Sequence, residues 1–436
     1  MNNFVENIKI LNSPVRTDND NRYDYFVGLK FLKDKINIYF PIGYNLDDFN
    51  EITKSSELTS NMIKEIDNLL NTISIAKTLS QSSTEFGIDS GEKEEIPFNS
   101  FRWLLNDYLE NGLYTETEKI VTQNARGKIN WKKTLNSEHY FSNEGVVFIS
   151  PYYNKNIYEN NIITNIHAFC VNKSIDYISW LYGRISYVDT NIDDDPEMLF
   201  QYISIIDNVL MKTFNDRKKW ILRHIKRILL FLSNDIDFEN ENYGVDKFDY
   251  VWEEMVRKVL GNENPDKFYP TSIWRLLSGE KTGSKMRPDA IRREEISNNG
   301  ENKLFKYYIL DAKYYKYGVS GSFSDLPNTD SVQKQVTYGD HIANHLDWYD
   351  TMKDKIYNAF VLPFDCKNSE NKIEYKGYAY CDWRDREIKT TDEKRNYERV
   401  AIILVDTKYL IDCYFKIVKP EIHKLIENIE KASKAE

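Results

Sequence analysis

The segment Tyr307–Tyr315 reads YYILDAKYY and constrains the fold more than any other stretch of the chain. Bulky residues run without a break into Asp311, and Lys313 follows two positions later. A run so short, apolar and aromatic suits a strand buried in a sheet. Side chains alternate across a strand, so Asp311 and Lys313 are expected on one face, where the apolar run ends. About twenty residues upstream, MRPDAI (Met286–Ile291) opens another strand-like segment, with Asp289 at its start.

Two converging carboxylates can hold a hard divalent cation through oxygen ligands. Such a cation polarises a phosphoryl oxygen and lowers the pKa of a bound water. A neighbouring ammonium orients that water and offsets the charge that builds on phosphorus. Asp289, Asp311 and Lys313 are therefore candidate catalytic residues for phosphodiester hydrolysis, with Asp289 and Asp311 as metal ligands. A chance Asp-x-Lys on a surface turn is the competing reading, and the placement of the triplet at the end of an apolar strand argues against it.

Two flanking helices carry further candidates. KFDYVWEEMVRKVL (247–260) precedes the acidic strands and offers Glu253 as a third acid; a solvated face paired to Arg257 and Lys258 is the alternative for Glu253 and Glu254. Downstream, Gln333, Gln335 and Tyr338 lie on a helix expected over 330–350. Gln335 and Tyr338 are three apart and share a face.

At 436 residues the chain is too long for one ordinary domain. Residues 4–45 alternate like strands, and Met62, Ile66, Leu69, Leu70 and Ile73 recur at helical spacing over 52–80. The polar run 81–95 reads as a linker. Helices are expected over 97–117 and through 157–234, the last one long (197–233), with a break near 189–196. After the acidic stretch 234–242, strands are expected near 285–293, 304–313, 356–363, 374–380 and 398–406, with a closing helix over 419–434. The reading is α+β and multidomain. It comprises a β-rich N-terminal region (1–95, DNA- or partner-binding), a mainly helical middle (96–240) and a C-terminal α/β nuclease core with a mixed sheet flanked by helices (241–436).

Pro-Asp followed by Asp-x-Lys resembles the PD-(D/E)xK nuclease pattern. RPDAI and ILDAKYY, with the WEEMV helix before them and KQVTYGDHI after, resemble LlaJI-type restriction endonucleases and McrC, the nuclease subunit of the McrBC system. RGKINWKKTL (126–135) is similar to a basic element that McrC-like chains carry ahead of the nuclease domain. The resemblance spans roughly 120–410. It implies Asp289, Asp311 and Glu253 as metal ligands, Lys313 as the catalytic lysine, and a Gln-Tyr pair on the next helix. McrC-like chains often show Gln-x-x-x-Tyr, so Gln333 and Gln335 both stay open. It further implies Mg²⁺, with Mn²⁺ able to substitute, double-stranded DNA as substrate, an McrB-like AAA+ GTPase partner, and self-association for double-strand cleavage. A stand-alone type II endonuclease and a non-catalytic assembly subunit of an NTPase ring are the alternatives.

Formal charge is −10, so any contact with DNA must come from local positive surface. Candidates are Arg287, Lys132 and Lys133 beside Trp131, and the stripe Lys219, Arg223 and Lys226, with Trp220, Ile221 and Ile225 expected toward a core. Gly279–Lys285 (GEKTGSK) lacks the spacing of a phosphate loop. His341 and His345 lack the acid and third ligand of a zinc site. Cys170, Cys366, Cys381 and Cys413 show no CxxC pairing and read as reduced thiols. No apolar stretch reaches membrane-spanning length, and the N-terminus is polar and acidic, so the expected location is cytoplasmic.

Overall fold

The structure, a computed structural model, describes residues 8–16, 23–32, 35–49, 58–82, 97–123, 127–143, 145–159, 162–183, 185–234, 242–269, 271–296, 304–345, 355–367, 369–382 and 395–435. It is α+β and forms two compact units, Met1–Gly91 together with Asn242–Glu436, and Glu92–Glu241. Residues 1–91, expected within a separate N-terminal region, thus fall in one unit with residues 242–436. No described helix is long and apolar enough to cross a membrane.

In the first unit a mixed five-stranded sheet runs in the order Ala290–Ile296, Leu304–Ala312, Ile356–Phe364, Val400–Asp406, Ile373–Ala379. The outer pairings are antiparallel and the two inner ones parallel. Ile356–Phe364 and Val400–Asp406 are buried along their whole length. Such near-continuous apolar composition is what parallel strands covered on both faces require.

Register places Tyr307, Ile309 and Asp311 on one face with Ile356, Asn358 and Phe360. The helix Thr329–His345 packs there through Val332, Val336, Tyr338 and Ile342. Burying one such Val, Ile or Phe contributes roughly 1.5–3 kcal/mol. The helix Asp249–Leu260 sends the Trp252 indole N–H to the Val361 carbonyl, 3.2 Å away.

A second sheet of the same unit runs Ile8–Asn12, Lys35–Phe40, Val27–Leu32, Asn242–Val245. Its last strand lies beyond the other unit in sequence, so the chain leaves this sheet and returns to complete it. The turn after Lys35–Phe40 is pinned to the larger sheet. Ile42 N–H donates to the Tyr314 hydroxyl (2.7 Å), and its carbonyl accepts from Thr407 Oγ1 (2.7 Å). Gly43, at φ 71°, lies so close to the Phe364 backbone that a Cβ would meet it at 2.7 Å. Only glycine combines that dihedral with that approach.

The second unit holds helices Phe98–Asn111, Ile162–Tyr182, Pro196–Lys212 and Asp216–Ser233. It also has a three-stranded sheet ordered Glu116–Gln123, Tyr152–Glu159, Lys128–Ile129 and a hairpin His139–Ser142/Gly145–Phe148. The long helix expected over 197–233 is two helices. Asn215 accepts from Lys218 N–H and caps a new start, a side-chain bond that competes with helix continuation. The helix expected over 97–117 ends at Asn111, before Gly112. Trp220, expected inward, is half exposed and stacks on His224, while Ile221 and Ile225 are buried.

Candidate active site

Ala290 pairs antiparallel with Leu310, so one further step of register sets Asp289 opposite Asp311 on the same face. The Asp289 carboxylate accepts from the Ala312 backbone N–H at 2.7 Å, which crosses the gap between the two strand ends. Asp311 is buried, 3% exposed, and its Oδ2 lies 2.6 Å from Lys313 Nζ. The Lys313 ammonium also sits 5.9 Å from the Phe360 ring centroid, and its backbone N–H donates to the Val361 carbonyl (2.9 Å). The period of two expected for Asp311 and Lys313 is thus realised as a direct ion pair.

Of the two adjacent glutamates on the helix Asp249–Leu260, Glu254 is buried and paired to Arg257 (2.9 Å) and Lys258 (3.9 Å). Glu253, half-buried, lies within electrostatic reach of the acids. Burial, and then the charges of Asp289, Asp249 and Asp311, push its carboxyl up to about 8 against the opposing pull of Arg257. Asp289 is raised to about 6, first by burial and then by Asp311, while the Ala312 N–H, Lys313 and Lys334 hold it down. Two carboxyls raised by burial and by neighbouring carboxylates make a donor set short of positive charge.

That donor set fits a hard dication. Among the described residues no three His, Cys, Asp or Glu side chains close around a single point. The chain's own share would thus be the Asp289 and Asp311 oxygens with Glu253 beside them, the remainder of the shell being water and substrate oxygens, which Mg²⁺ readily accepts.

The helix Thr329–His345 supports both acidic strands. Gln335, fully buried, donates from Nε2 to the Ile309 carbonyl (2.9 Å), two residues before Asp311. Asn358 Nδ2 in turn donates to the Gln335 and Tyr397 carbonyls (2.9 and 2.7 Å). The Tyr338 hydroxyl donates to the Arg287 carbonyl (2.8 Å), two residues before Asp289. Burial and the charges of Asp311 and Asp289 raise the Tyr338 phenol above its ordinary range. Gln333 is exposed. The geometry therefore makes Gln335 and Tyr338 positioning residues for the strands that carry the acids.

Two cations were missed in the sequence. Arg257 Nε donates to the Asp289 carbonyl (3.0 Å). Lys334 bears on Asp289, and its Nζ lies 5.6 Å from the Tyr338 ring centroid. Lys334 is four residues before Tyr338 on one helix face, a spacing that could have found it.

Arg287 is exposed and paired to Asp266 (3.1 Å). In the second unit Lys132 and Lys133 are exposed, with Lys133 Nζ 4.7 Å from the Tyr152 ring centroid. Arg223 sits over Trp220 (5.4 Å), Lys219 over Phe214 (6.0 Å), and Lys226 is paired to Asp207 (2.7 Å). His341 lies against the Tyr269 ring (5.3 Å). All four cysteines are free thiols, and Gly279–Lys285 is a strand, not a phosphate loop. Arg126, part of the basic element, lies outside the described residues.

The model of one protein family, described as LlaJI restriction endonuclease, matches residues 26–382. Two of the solved structures that the chain matches are assemblies from Thermococcus gammatolerans. A half-complex of McrB AAA+ hexamers with bound McrC is 13% identical, covering 94% of this chain and 82% of that one at a TM-score of 0.34. The McrBC complex is 12% identical, covering 53% of this chain and 64% of that one at a TM-score of 0.18. No curated protein matches the chain.

Proposed function

The chain belongs to the LlaJI restriction endonuclease family, and from that premise we propose that it is a Mg²⁺-dependent DNA endonuclease, the McrC-like nuclease subunit of a restriction system. The observation that carries the chemistry is the meeting of Asp289, Asp311 and Lys313 at adjacent strand ends, with Glu253 in electrostatic reach of both aspartates. Asp289 and Asp311 would hold the metal. When bound, Mg²⁺ supplies Lewis acidity toward the phosphoryl oxygen and lowers the pKa of attacking water. Lys313, beside Asp311, would orient the attacking water and offset negative charge on phosphorus. Glu253, raised by burial and by the charges of Asp289, Asp249 and Asp311, would be the third carboxylate available to such a cation. Gln335 and Tyr338 keep the two strands in register. Two copies would meet at a double-strand break, since one such centre cuts one strand.

An McrB-like AAA+ GTPase partner is proposed from the RGKINWKKTL element. The test is plasmid cleavage in Mg²⁺ by the full chain, alone and with such a GTPase and GTP. Cleavage is expected with the partner, and Asp311→Ala or Lys313→Ala should abolish it while folding is retained. Wild-type cleavage rates in either variant overturn the catalytic assignment. Discrete cleavage without nucleotide or partner overturns the GTPase dependence and favours a stand-alone type II enzyme.

A further inference from the structure

Between the helix Asp249–Leu260 and Asp289 the chain builds an element that the sequence reading passed over. Thr271–Leu276 and Gly279–Lys285 pair as an antiparallel two-stranded ribbon. Among the described residues it joins no larger sheet. Residues 272–282 are exposed on both strands, so neither face of the ribbon is covered. An uncovered ribbon of two strands ordinarily carries polar side chains, because it has no core to bury others. This one presents Ile273 (55% exposed), Trp274 (61%), Leu276 (65%) and, at its tip, Leu277 (112%). Apolar side chains gathered in that way mark a contact surface.

Charge identifies the occupant. The ribbon carries Arg275, Lys281 and Lys285 against a single carboxylate, Glu280, in a chain of net charge −10. Arg275 is paired to Glu280 at 2.8 Å. Trp274 stands directly opposite Lys281 in the register, so ring and ammonium share a face. An aromatic beside a cation suits a duplex surface, where one makes apolar contact with base edges in the major groove and the other meets phosphates.

Position points the same way. The root is fastened by Lys285 Nζ to the Asp266 carbonyl (3.0 Å) and by Arg287 to the Asp266 carboxylate (3.1 Å). From that root only Met286, Arg287 and Pro288 separate the ribbon from Asp289. Six strand residues at about 3.3 Å each carry the tip ~20 Å from the root. That is about six base pairs along a duplex at 3.4 Å per step. A two-stranded ribbon also has the width that the major groove admits.

We propose that the ribbon Thr271–Lys285 is a duplex-DNA contact element that enters the major groove beside the scissile phosphate. Trp274 and the Leu276–Leu277 tip meet base edges, and Lys281 meets the phosphate backbone. The inference rests on the endonuclease reading above and names how the same site engages its substrate. None of these side chains touches the reacting atoms, so their loss weakens binding and leaves the acidic centre intact.

The test measures equilibrium binding of a fluorescein-labelled duplex to the full chain by anisotropy, with Ca²⁺ in place of Mg²⁺ and several salt concentrations. Trp274→Ala and Leu277→Ser are each expected to weaken binding by about tenfold. Lys281→Ala should lower the slope of log affinity against log salt by about one. Urea unfolding midpoints should match the wild type, since the substituted side chains are exposed. Wild-type affinity and slope in all three variants overturn the ribbon's role and leave the nuclease reading standing. The same result with lost association to a protein partner also overturns it and assigns the ribbon to protein contact. A wild-type chain that, with its activating partner, neither binds nor cuts duplex DNA overturns the nuclease reading itself.

Discussion

Lys313→Met removes the partner of a carboxylate that is only 3% exposed, and the consequence can be worked from the ion pair itself. Lys313 Nζ lies 2.6 Å from Asp311 Oδ2, with the two side chains 17% and 5% exposed. Removing one partner of a buried pair costs roughly 3–5 kcal/mol, because the other charge is left without compensation. The lysine end of this pair reaches solvent, so water relieves part of that cost and about 2–4 kcal/mol is expected. Methionine preserves most of the aliphatic stem against Phe360, which keeps lost packing out of the measurement.

The reverse change, Asp311→Asn, leaves an ammonium that can turn to water and removes a charge that disfavours ionisation of Asp289. It should cost less than Lys313→Met, about 1–2 kcal/mol, because the lysine end of the buried pair is the one that can reach water. The double variant Asp311→Asn/Lys313→Met carries neither charge and should recover most of the stability lost by Lys313→Met. Urea unfolding at pH 7.5 in EDTA measures all four proteins, and shared m-values license the comparison. If Lys313→Met is as stable as the wild type, or the double variant as weak as the single, the pair does not compensate Asp311 and the reasoning fails. All three variants are expected to be inactive, so the double variant separates lost chemistry from lost folding.

Acid should weaken the second unit through two histidines. His167, whose Nδ1 accepts from the Tyr114 N–H (2.8 Å), and His224, beside Ser100 and stacked on Trp103, are both lowered to about 4, chiefly by burial. Their folded pKa values lie below the unfolded one, so their contribution is fully present above pH ~6.5 and is lost as pH falls toward 4. At ~1.4 kcal/mol per unit this is about 3 kcal/mol each at most, and a pH series of urea midpoints that stays flat across that window counts against it. Glu253 has the opposite sign. Its raised pKa means the metal-free fold weakens as pH climbs from 4.5 toward about 8, and Glu253→Gln should abolish cleavage yet be more stable than the wild type at pH 8 in EDTA. Thermal unfolding that finds the variant weaker at that pH refutes the assignment. Gly339→Ala would set a Cβ 2.5 Å from Tyr397 Cβ and should cost about 1–3 kcal/mol by overpacking, read as a lower urea midpoint.

What could be read in the sequence was what depends on neighbours along the chain. The YYILDAKYY strand, the strands Ile356–Phe364 and Val400–Asp406, and the shared face of Asp311 and Lys313 follow from local pattern, and each stands as expected. Asp289 was legible as a partner because Pro-Asp opens a strand, but the bond that joins it to Ala312 is a matter of register between strands. Glu253 and Glu254 are adjacent on one helix, and composition treats them alike. Only packing pairs one with Arg257 and sets the other in electrostatic reach of the acids. Gln335 shows the same limit from the other side. Spacing offered Gln335 as a site residue sharing a face with Tyr338, whereas the bond its amide makes to the Ile309 carbonyl, two residues before Asp311, belongs to packing between helix and sheet. The insertion of the second unit was hidden because Asn242–Val245 is four residues long and polar at its start, too short to announce that it closes a sheet begun two hundred residues earlier. The ribbon escaped for a related reason. Its apolar residues lie in no amphipathic pattern, because neither face meets a core, and pattern-based reading detects only what a core demands. An element proposed to make contact outside its own chain leaves its strongest trace in the structure, as large apolar side chains held in solvent on a ribbon that only three residues separate from the candidate acid Asp289.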